Sequence, residues 1–140
     1  MAKQTGLGDY VAVDDSGGTP RDITNDISGG YGINIAQDLL ETTGLDKSAR
    51  ERLTGMSDAD VTLTGTFNAA SNKSHDVFKT RTTARTFDLR VGGNTSSNPK
   101  LAMEMMIASY NISRGSDGSL TWTAGLNLSN GTVPAWTTVA

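Results

Sequence analysis

The sequence predicts a mainly β domain: a β-sandwich or barrel of two packed sheets, with one short flanking helix and a long extended arm. Three observations carry this expectation. Leu120, Trp122, Ala124, Leu126 and Leu128 alternate without a break with Thr121, Thr123, Gly125, Asn127 and Ser129. That is the period of two of a strand with one buried and one polar face. Just upstream, Ala102 to Ile112 is apolar on both sides, with Met103, Met105 and Ile107 on one and Met106, Ala108, Tyr110 and Ile112 on the other. A strand of this kind is expected to be covered on both faces. Finally, glycine, threonine and serine are common while proline and aromatic residues are few, which favours turns and β-branched strand positions.

The elements follow in order. Residues 1 to 8 are polar and glycine-containing and read as a mobile lead-in. Tyr10 to Val13 is a short strand, and Asp14 to Pro20 is a turn by composition. Arg21 to Ile27, with Ile23 and Ile27 apolar, reads as an edge strand, broken by Ser28-Gly29-Gly30. Tyr31, Ile33 and Ile35 alternate with Gly32 and Asn34 as the next strand, and Val61, Leu63, Gly65 and Phe67 alternate with Thr62, Thr64 and Thr66 as another. Ser74 to Lys79 reads as a short helix, with Ser74 as N-cap and Val77 and Phe78 facing inward. In Arg85 to Val91, Phe87, Leu89 and Val91 face in while Thr86, Asp88 and Arg90 face out. Gly92 to Lys100 is a loop that Pro99 closes, and the hairpin from Leu101 to Ser129 turns at Asp117-Gly118. Val133 to Val139 is a terminal strand that Pro134 confines to an edge or a strand start. All 140 residues fit one domain.

The stretch from Ala36 to Asp60 differs from its surroundings. It is dense in charge, and Leu39, Leu40, Leu45, Leu53 and Met56 are spread through it without a period of two. Asp46 is placed to cap a helical turn over Lys47 to Leu53, with Gly55 ending it. A connection this long is usually functional or disordered, and the spaced leucines argue against disorder. Two readings remain: a loop that packs its leucines on its own core, or an arm that docks on a neighbouring subunit.

Composition narrows the function. No cysteine is present, so disulfides and thiolate chemistry are absent, and a single histidine, His75, builds no histidine metal site. A net charge of -3 without a basic block argues against tight phosphate binding. No apolar run approaches the length of about 18 residues that a membrane span needs, and the N-terminus lacks the apolar segment of a secretory signal. Ser74, His75 and Asp76 are the residue types of a nucleophilic triad, but neighbours along a helix do not face one another. Asp14-Asp15 and the pair Asp58, Asp60 lack the ligand spacing of a calcium loop. Gly29-Gly30-Tyr31-Gly32 is followed by neither helix nor lysine-threonine pair, so it is no phosphate loop. No catalytic, cofactor or metal residue is expected.

The ordered set of features resembles the tail tube (major tail) proteins of long-tailed bacteriophages and related phage-derived particles. The resemblance spans about Tyr10 to Trp136. It rests on the stretch Glu41 to Asp46, the run Ser48 to Met56, the strand Val61 to Phe67, the helix around His75 to Lys79, Tyr110-Asn111-Ile112 with Leu120-Thr121-Trp122, and Asn130 to Trp136. It implies a non-enzymatic virion subunit, made in the host cytoplasm. Such subunits form hexameric rings that stack into a tube, and their sheets join into an inner barrel through which DNA passes without specific binding. It also implies tape measure, tail terminator and tail-tip proteins as partners, no cofactor, and residues 41–60 as an inter-subunit arm with Leu39, Leu40, Leu45, Leu53 and Met56 at the interface. The outer faces of Val61 to Phe67 and Arg85 to Val91 are candidates for the lumen wall. The alternative is a capsid-decoration or carbohydrate-binding β-sandwich using Trp122, Trp136 or Tyr110 as a stacking surface.

Overall fold

The computed structural model of the chain describes residues 4, 5 and 7–140. The lead-in expected over residues 1 to 8 therefore lies outside the described residues at Met1, Ala2, Lys3 and Gly6. The strands are β1 (Tyr10–Asp14), β2 (Pro20–Asp22), β3 (Gly30–Glu41), β4 (Arg52–Thr66), β5 (Arg85–Arg90), β6 (Pro99–Arg114), β7 (Leu120–Leu128) and β8 (Trp136–Thr138). A 3-10 turn covers Thr24–Asp26, and the one α-helix among the described residues is α1 (Ser74–Phe78). The strands form a single eight-stranded sheet in the order β2-β1-β5-β6-β7-β4-β3, with β8 beside the start of β6. Every pairing is antiparallel.

The domain is mainly β with one short helix, but the strands do not divide into two separate sheets. The reason is the length of β6. Its sixteen residues serve two sets of neighbours: Lys100 to Met105 pair with β5, and Met105 to Arg114 pair with β7. Two halves of one sheet thus share a strand.

That strand also corrects the expectation of two apolar faces. Its register against β7 slips between Ile107 and Ser109, leaving Ala108 as one extra residue in β6. A bulge of this kind bends a strand and reverses which side later residues face. Before it, Met103, Met105 and Ile107 are buried. After it, Tyr110 and Ile112 stand opposite buried Ala124 and Trp122, on the same inward face.

One core collects the inward face of both halves. Val11, Val13, Phe87 and Leu89 from one half meet Val61, Leu63, Trp122 and Leu126 from the other, under Val77 and Phe78 of α1. Of the segment expected as an edge strand over Arg21 to Ile27, only Arg21 and Asp22 lie in one, the terminal strand β2; the remainder bridges the halves. The Ile23 N–H donates to the Val11 carbonyl at 3.1 Å, and the Gly29 N–H donates to the Thr64 carbonyl at 2.9 Å. Gly65 permits this crossing, because a Cβ there would lie 1.8 Å from the Asp26 carbonyl oxygen. Asp26, itself buried, accepts from the Asn68 side-chain amide at 2.9 Å and from the Ser74 N–H at 3.0 Å. It therefore caps α1 from a distance, and Ser74 is not the N-cap: Lys73 occupies that position without a side-chain cap.

The other end of α1 is held by Arg85, which is fully buried. Its guanidinium donates to the carbonyls of Val77 (2.6 Å), Asp14 (3.1 Å) and Thr80, and to the Thr83 hydroxyl (3.0 Å). Carbonyls that a helix end leaves without partners are satisfied here by a side chain from the sheet.

Gly65→Ala should destabilise the fold by about 3 kcal/mol, because the clash is with backbone rather than with a movable side chain. Arg85→Met should cost a similar amount, about 3 kcal/mol, by leaving the buried Val77 carbonyl and the part-buried carbonyls of Asp14 and Thr80 without this donor. Urea unfolding midpoints at unchanged slope check both, and a wild-type midpoint in either variant would refute the corresponding contact.

Candidate assembly surface

β3 and β4 continue well past the core as a two-stranded hairpin. The last buried residue of β4 toward the tip is Ala59, and nothing from Arg52 to Asp58 is buried. The arm region is therefore two strands, ending at Glu41 and resuming at Arg52, joined by a non-strand tip over residues 42–51. The expected helical turn over Lys47 to Leu53 is absent: residues 45 and 46 form a turn, and Arg52 begins β4. The alternation was hidden by a second slip. Gln37 pairs with Ser57 and Leu39 with Thr54, so β4 carries an extra residue at Gly55 and Met56. The tip is ordered by its backbone, with the Thr42 N–H donating to the Glu51 carbonyl at 2.9 Å and the Glu51 N–H donating to the Thr43 hydroxyl at 2.9 Å. Arg50 and Glu41 lie 3.9 Å apart with both side chains exposed, a contact that contributes little.

All five residues expected at a subunit interface lie on this hairpin with their side chains in solvent. They range from half exposed at Leu40 (54%) to fully exposed at Leu45, with Leu39, Leu53 and Met56 between. Leu40 faces Leu53 across the strands. Leu39 is adjacent to Leu40 in the strand and so points to the opposite side. The hairpin thus carries exposed apolar side chains among charged ones on both faces, and these do not rest on the chain's own core.

The base of the hairpin is clipped to the body. Tyr31 donates its hydroxyl to Asp9, whose other carboxylate oxygen accepts from the Gly92 N–H at 2.7 Å. Burial, with the Asp9 carboxylate adding to it, pushes the Tyr31 phenol up to about 12.

The outward face of β4 runs on into β7. Thr62, Thr64 and Thr66 lie opposite Gly125, Thr123 and Thr121, and Asp60 lies opposite Asn127. No lysine or arginine stands among them. The outward face of β5 differs: Arg90 pairs with Asp88 at 3.0 Å, Lys100 approaches the same carboxylate at 3.9 Å, and Thr86 donates to Glu104 at 3.0 Å.

The other sites considered from sequence do not come together. The Ser74 hydroxyl is buried without a partner among the described residues. His75 Nδ1 lies 3.1 Å from the Tyr110 hydroxyl. Asp76 binds Lys79 at 2.7 Å and the Asn72 N–H at 2.9 Å, contacts that hold its carboxyl below the usual range. The Asp15 carboxylate is occupied by its own turn, accepting from the N–H groups of Thr19 and Gly17 and from Arg21, and the turn bond from Thr19 leads in lowering its pKa. Among the described residues, no three acidic or histidine side chains converge as a cation site would require. Trp122 is buried, its indole N–H donating to the Thr66 carbonyl at 3.0 Å, which removes it as a stacking platform; Trp136 stays exposed. Sequence reasoning missed Asp26 and Arg85: Asp26 lies in a 3-10 turn that has no period to read, while Arg85 holds the inward phase of Phe87 and Leu89 in β5, a signal that its charge masked.

The chain matches several solved structures along its whole length. It covers 99% of itself and 100% of a chain in the tail of an empty gene transfer agent (GTA) particle computed by helical refinement with C6 symmetry, at a TM-score of 0.73 and 17% identity. Against a chain of the native GTA virion the values are 99% and 100%, 0.72 and 16%. Against a chain in the six-fold symmetrised baseplate of the anti-feeding prophage they are 99% and 98%, 0.68 and 11%. This chain has the fold of those particle components. No family model matches it, and no curated protein matches it in sequence. At these identities the likeness is one of fold, and it is full-length, so it includes the hairpin.

The Tyr31 phenol gives a pH prediction. Its neutral form is favoured in the fold, whereas the unfolded chain releases the proton near pH 10. The contribution is complete below about pH 10 and is lost as pH rises towards 12. Burial also raises Tyr10 and Tyr110. Tyrosinate absorbance should therefore develop late, and Tyr31→Phe should remove its latest component and flatten the loss of stability with pH. Titration of all three tyrosines at the ordinary value would refute this.

Proposed function

We propose that this protein is a non-enzymatic structural subunit that self-assembles into stacked hexameric rings forming the tail tube of a phage or phage-derived particle. In the assembled virion tail the tube is a conduit for DNA ejection. The observation that carries this reading is the full-length fold likeness to a component of a tail computed with C6 symmetry. The hairpin supports it. A two-stranded ribbon with exposed apolar side chains on both faces is marginal alone and is completed by another surface. We assign that role to residues 41–60, with Leu39, Leu40, Leu45, Leu53 and Met56 against a neighbouring copy. Tape measure, tail terminator and tail-tip proteins are the further partners that this role requires.

The outward face of β4 and β7 suits the wall of such a tube. Its threonines and asparagine offer no cation to a phosphate backbone, so a passing duplex would release no counterions and would not be held. The face of β5 suits it less, because Arg90 and Lys100 stand there. For the decoration or carbohydrate-binding reading only Trp136 is left as an exposed tryptophan, and no observation favours it.

Mass measurement and negative-stain imaging of the purified protein, alone and with the tail-tip complex as nucleus, test the proposal. Rings or tubes are expected; a monomer at every concentration with the nucleus present would overturn it. Leu40→Ser with Leu53→Ser should change unfolding stability by no more than about 1 kcal/mol, since the pair is exposed, and should abolish tube formation. Tubes of normal length from that variant would remove the hairpin from the interface.

A further inference from the structure

A side-chain amide or acid that precedes glycine can be attacked by the next backbone nitrogen, because glycine has no Cβ to shield it. The sequence holds two such places, Asn130-Gly131 and Asp117-Gly118. The fold treats them in opposite ways.

Asp117-Gly118 is locked. The Gly118 N–H donates to the Gly115 carbonyl at 3.0 Å, and the Ser119 N–H donates to the Asp117 carboxylate at 3.0 Å. The bond from Ser119 leads in holding that carboxyl below the usual range. The group stays ionised and is a poor electrophile, and the nitrogen that would attack it is engaged elsewhere.

Asn130-Gly131 is open. It lies just beyond β7, and residues 129–133 are exposed. The Ser129 N–H donates to the Glu104 carbonyl at 3.1 Å; after it, no backbone bond among the described residues holds the chain until β8. The Gly131 N–H has no partner among the described residues. Gly131 has a φ of +75°, and nothing lies within 4 Å of the place a Cβ would take. The Asn130 side chain, by contrast, is oriented: its Oδ1 accepts from the Thr132 N–H at 3.1 Å.

We infer that Asn130 is a self-modification site, at which the Gly131 nitrogen turns the side-chain amide into a carboxylate. The nitrogen gives its proton to water or hydroxide and bonds to Asn130 Cγ, closing a five-membered ring. Nucleophile and carbonyl are already on adjacent residues, so no second molecule has to be brought in for this step. Negative charge develops on Oδ1 as the carbon becomes tetrahedral, and the Thr132 N–H is already aimed at that oxygen. The Cγ–Nδ2 bond then breaks, and Nδ2 takes up a proton and leaves as ammonia. Water opens the succinimide at either carbonyl. Breaking the bond from Cγ to the Gly131 nitrogen gives aspartate; breaking the original peptide bond gives isoaspartate. One water enters, one ammonia leaves, and nothing is oxidised or reduced.

The location gives the change a consequence. Gly131 lines a hollow with Asp38, Met56, Ser57, Asp58 and Leu128, at the root of the β3–β4 hairpin. Each conversion adds one negative charge to a chain of net charge -3, beside a hollow that two carboxylates already line. Met56 is among the residues assigned above to the interface, and a new charge near it would have to shed water when the hairpin docks. Aged subunits should therefore assemble less well than fresh ones. This consequence rests on the proposed function, whereas the modification does not.

Peptide mapping by mass spectrometry of the freshly purified full-length protein, held under mildly alkaline conditions, tests the modification. The peptide containing Asn130 should gain about one mass unit and split into two chromatographic products. The Asp117 peptide and the other asparagines should stay unchanged. The rate should rise about tenfold for each unit of pH, since the attacking amide must lose its proton, and should match or exceed the rate in the urea-unfolded chain. Gly131→Ala should slow the reaction by about tenfold or more, and Asn130→Ser should abolish it; both changes fall in an exposed loop outside the core. Asn130 that persists in the folded protein while the unfolded chain converts, or equal conversion at several asparagines, would overturn the inference. The acidic form is then separated by anion exchange and compared with the unmodified form for ring formation on the tail-tip complex. A lower yield is expected from the acidic form, and equal yields would overturn the consequence for assembly. Unmodified protein that forms no rings would overturn the proposed function and that consequence together, with the modification decided separately by the mass data.

Discussion

Every inward side chain of this protein has to reach one core, although the sheet is built in two halves with different neighbours. β6 resolves that requirement. Its first half lies between β5 and β8, its second half lies beside β7, and the extra residue Ala108 lets the apolar face keep pointing inward through the change. Without the bulge, Tyr110 and Ile112 would turn outward opposite an inward-facing Trp122, and the core would lose its continuity. The shared strand is also why the pairing forms one sheet. Hydrogen bonds pass through β6 from one half to the other, although beyond Met105 the side that β5 occupied is left unpaired.

Polar contacts then fix what packing alone would leave loose. The core is closed on one side by the segment from Ile23 to Gly29 and covered by a helix of only five residues, α1. A helix that short is not stable by itself. It is held at its start by the Asp26 carboxylate and at its end by the Arg85 guanidinium. Both charged groups are buried, and both direct their hydrogen bonds to backbone, amide or hydroxyl partners rather than to each other. Fully satisfied polar groups of this kind specify one arrangement of the surrounding segments, since any other would leave a charge without partners.

The hairpin of β3 and β4 stands in contrast. It is ordered by backbone pairing and a tied tip, yet its leucines lie in water and its outer margin is bare. Within a lone domain such a feature is a liability. Within an assembly the same feature supplies apolar area and strand edge without further design. The outward face beside it is lined by threonines and carries no lysine or arginine among the paired residues of β4 and β7.

Much of this was legible in the residues. Unbroken alternation located β7 and β5, the Asp117-Gly118 turn located the β6–β7 hairpin, and the Ser74 to Lys79 helix was found within a residue of its end. The region of the arm was visible as a charged, leucine-bearing stretch, but only the structure decided that its five apolar residues lie off the chain's own core. Its strand character was not visible, because the extra residue at Gly55 and Met56 breaks the period that marks a strand. The same physics hid the single inward face of β6. Sequence alone thus determined the β class, the turns and the inward residues of each regular strand, since those follow from a local period of two. Tertiary structure alone decided the bulges, the bending of one sheet around one core, the burial of Asp26 and the partners of Arg85. These depend on which distant backbone groups need a partner, and that need arises only when the segments have come together.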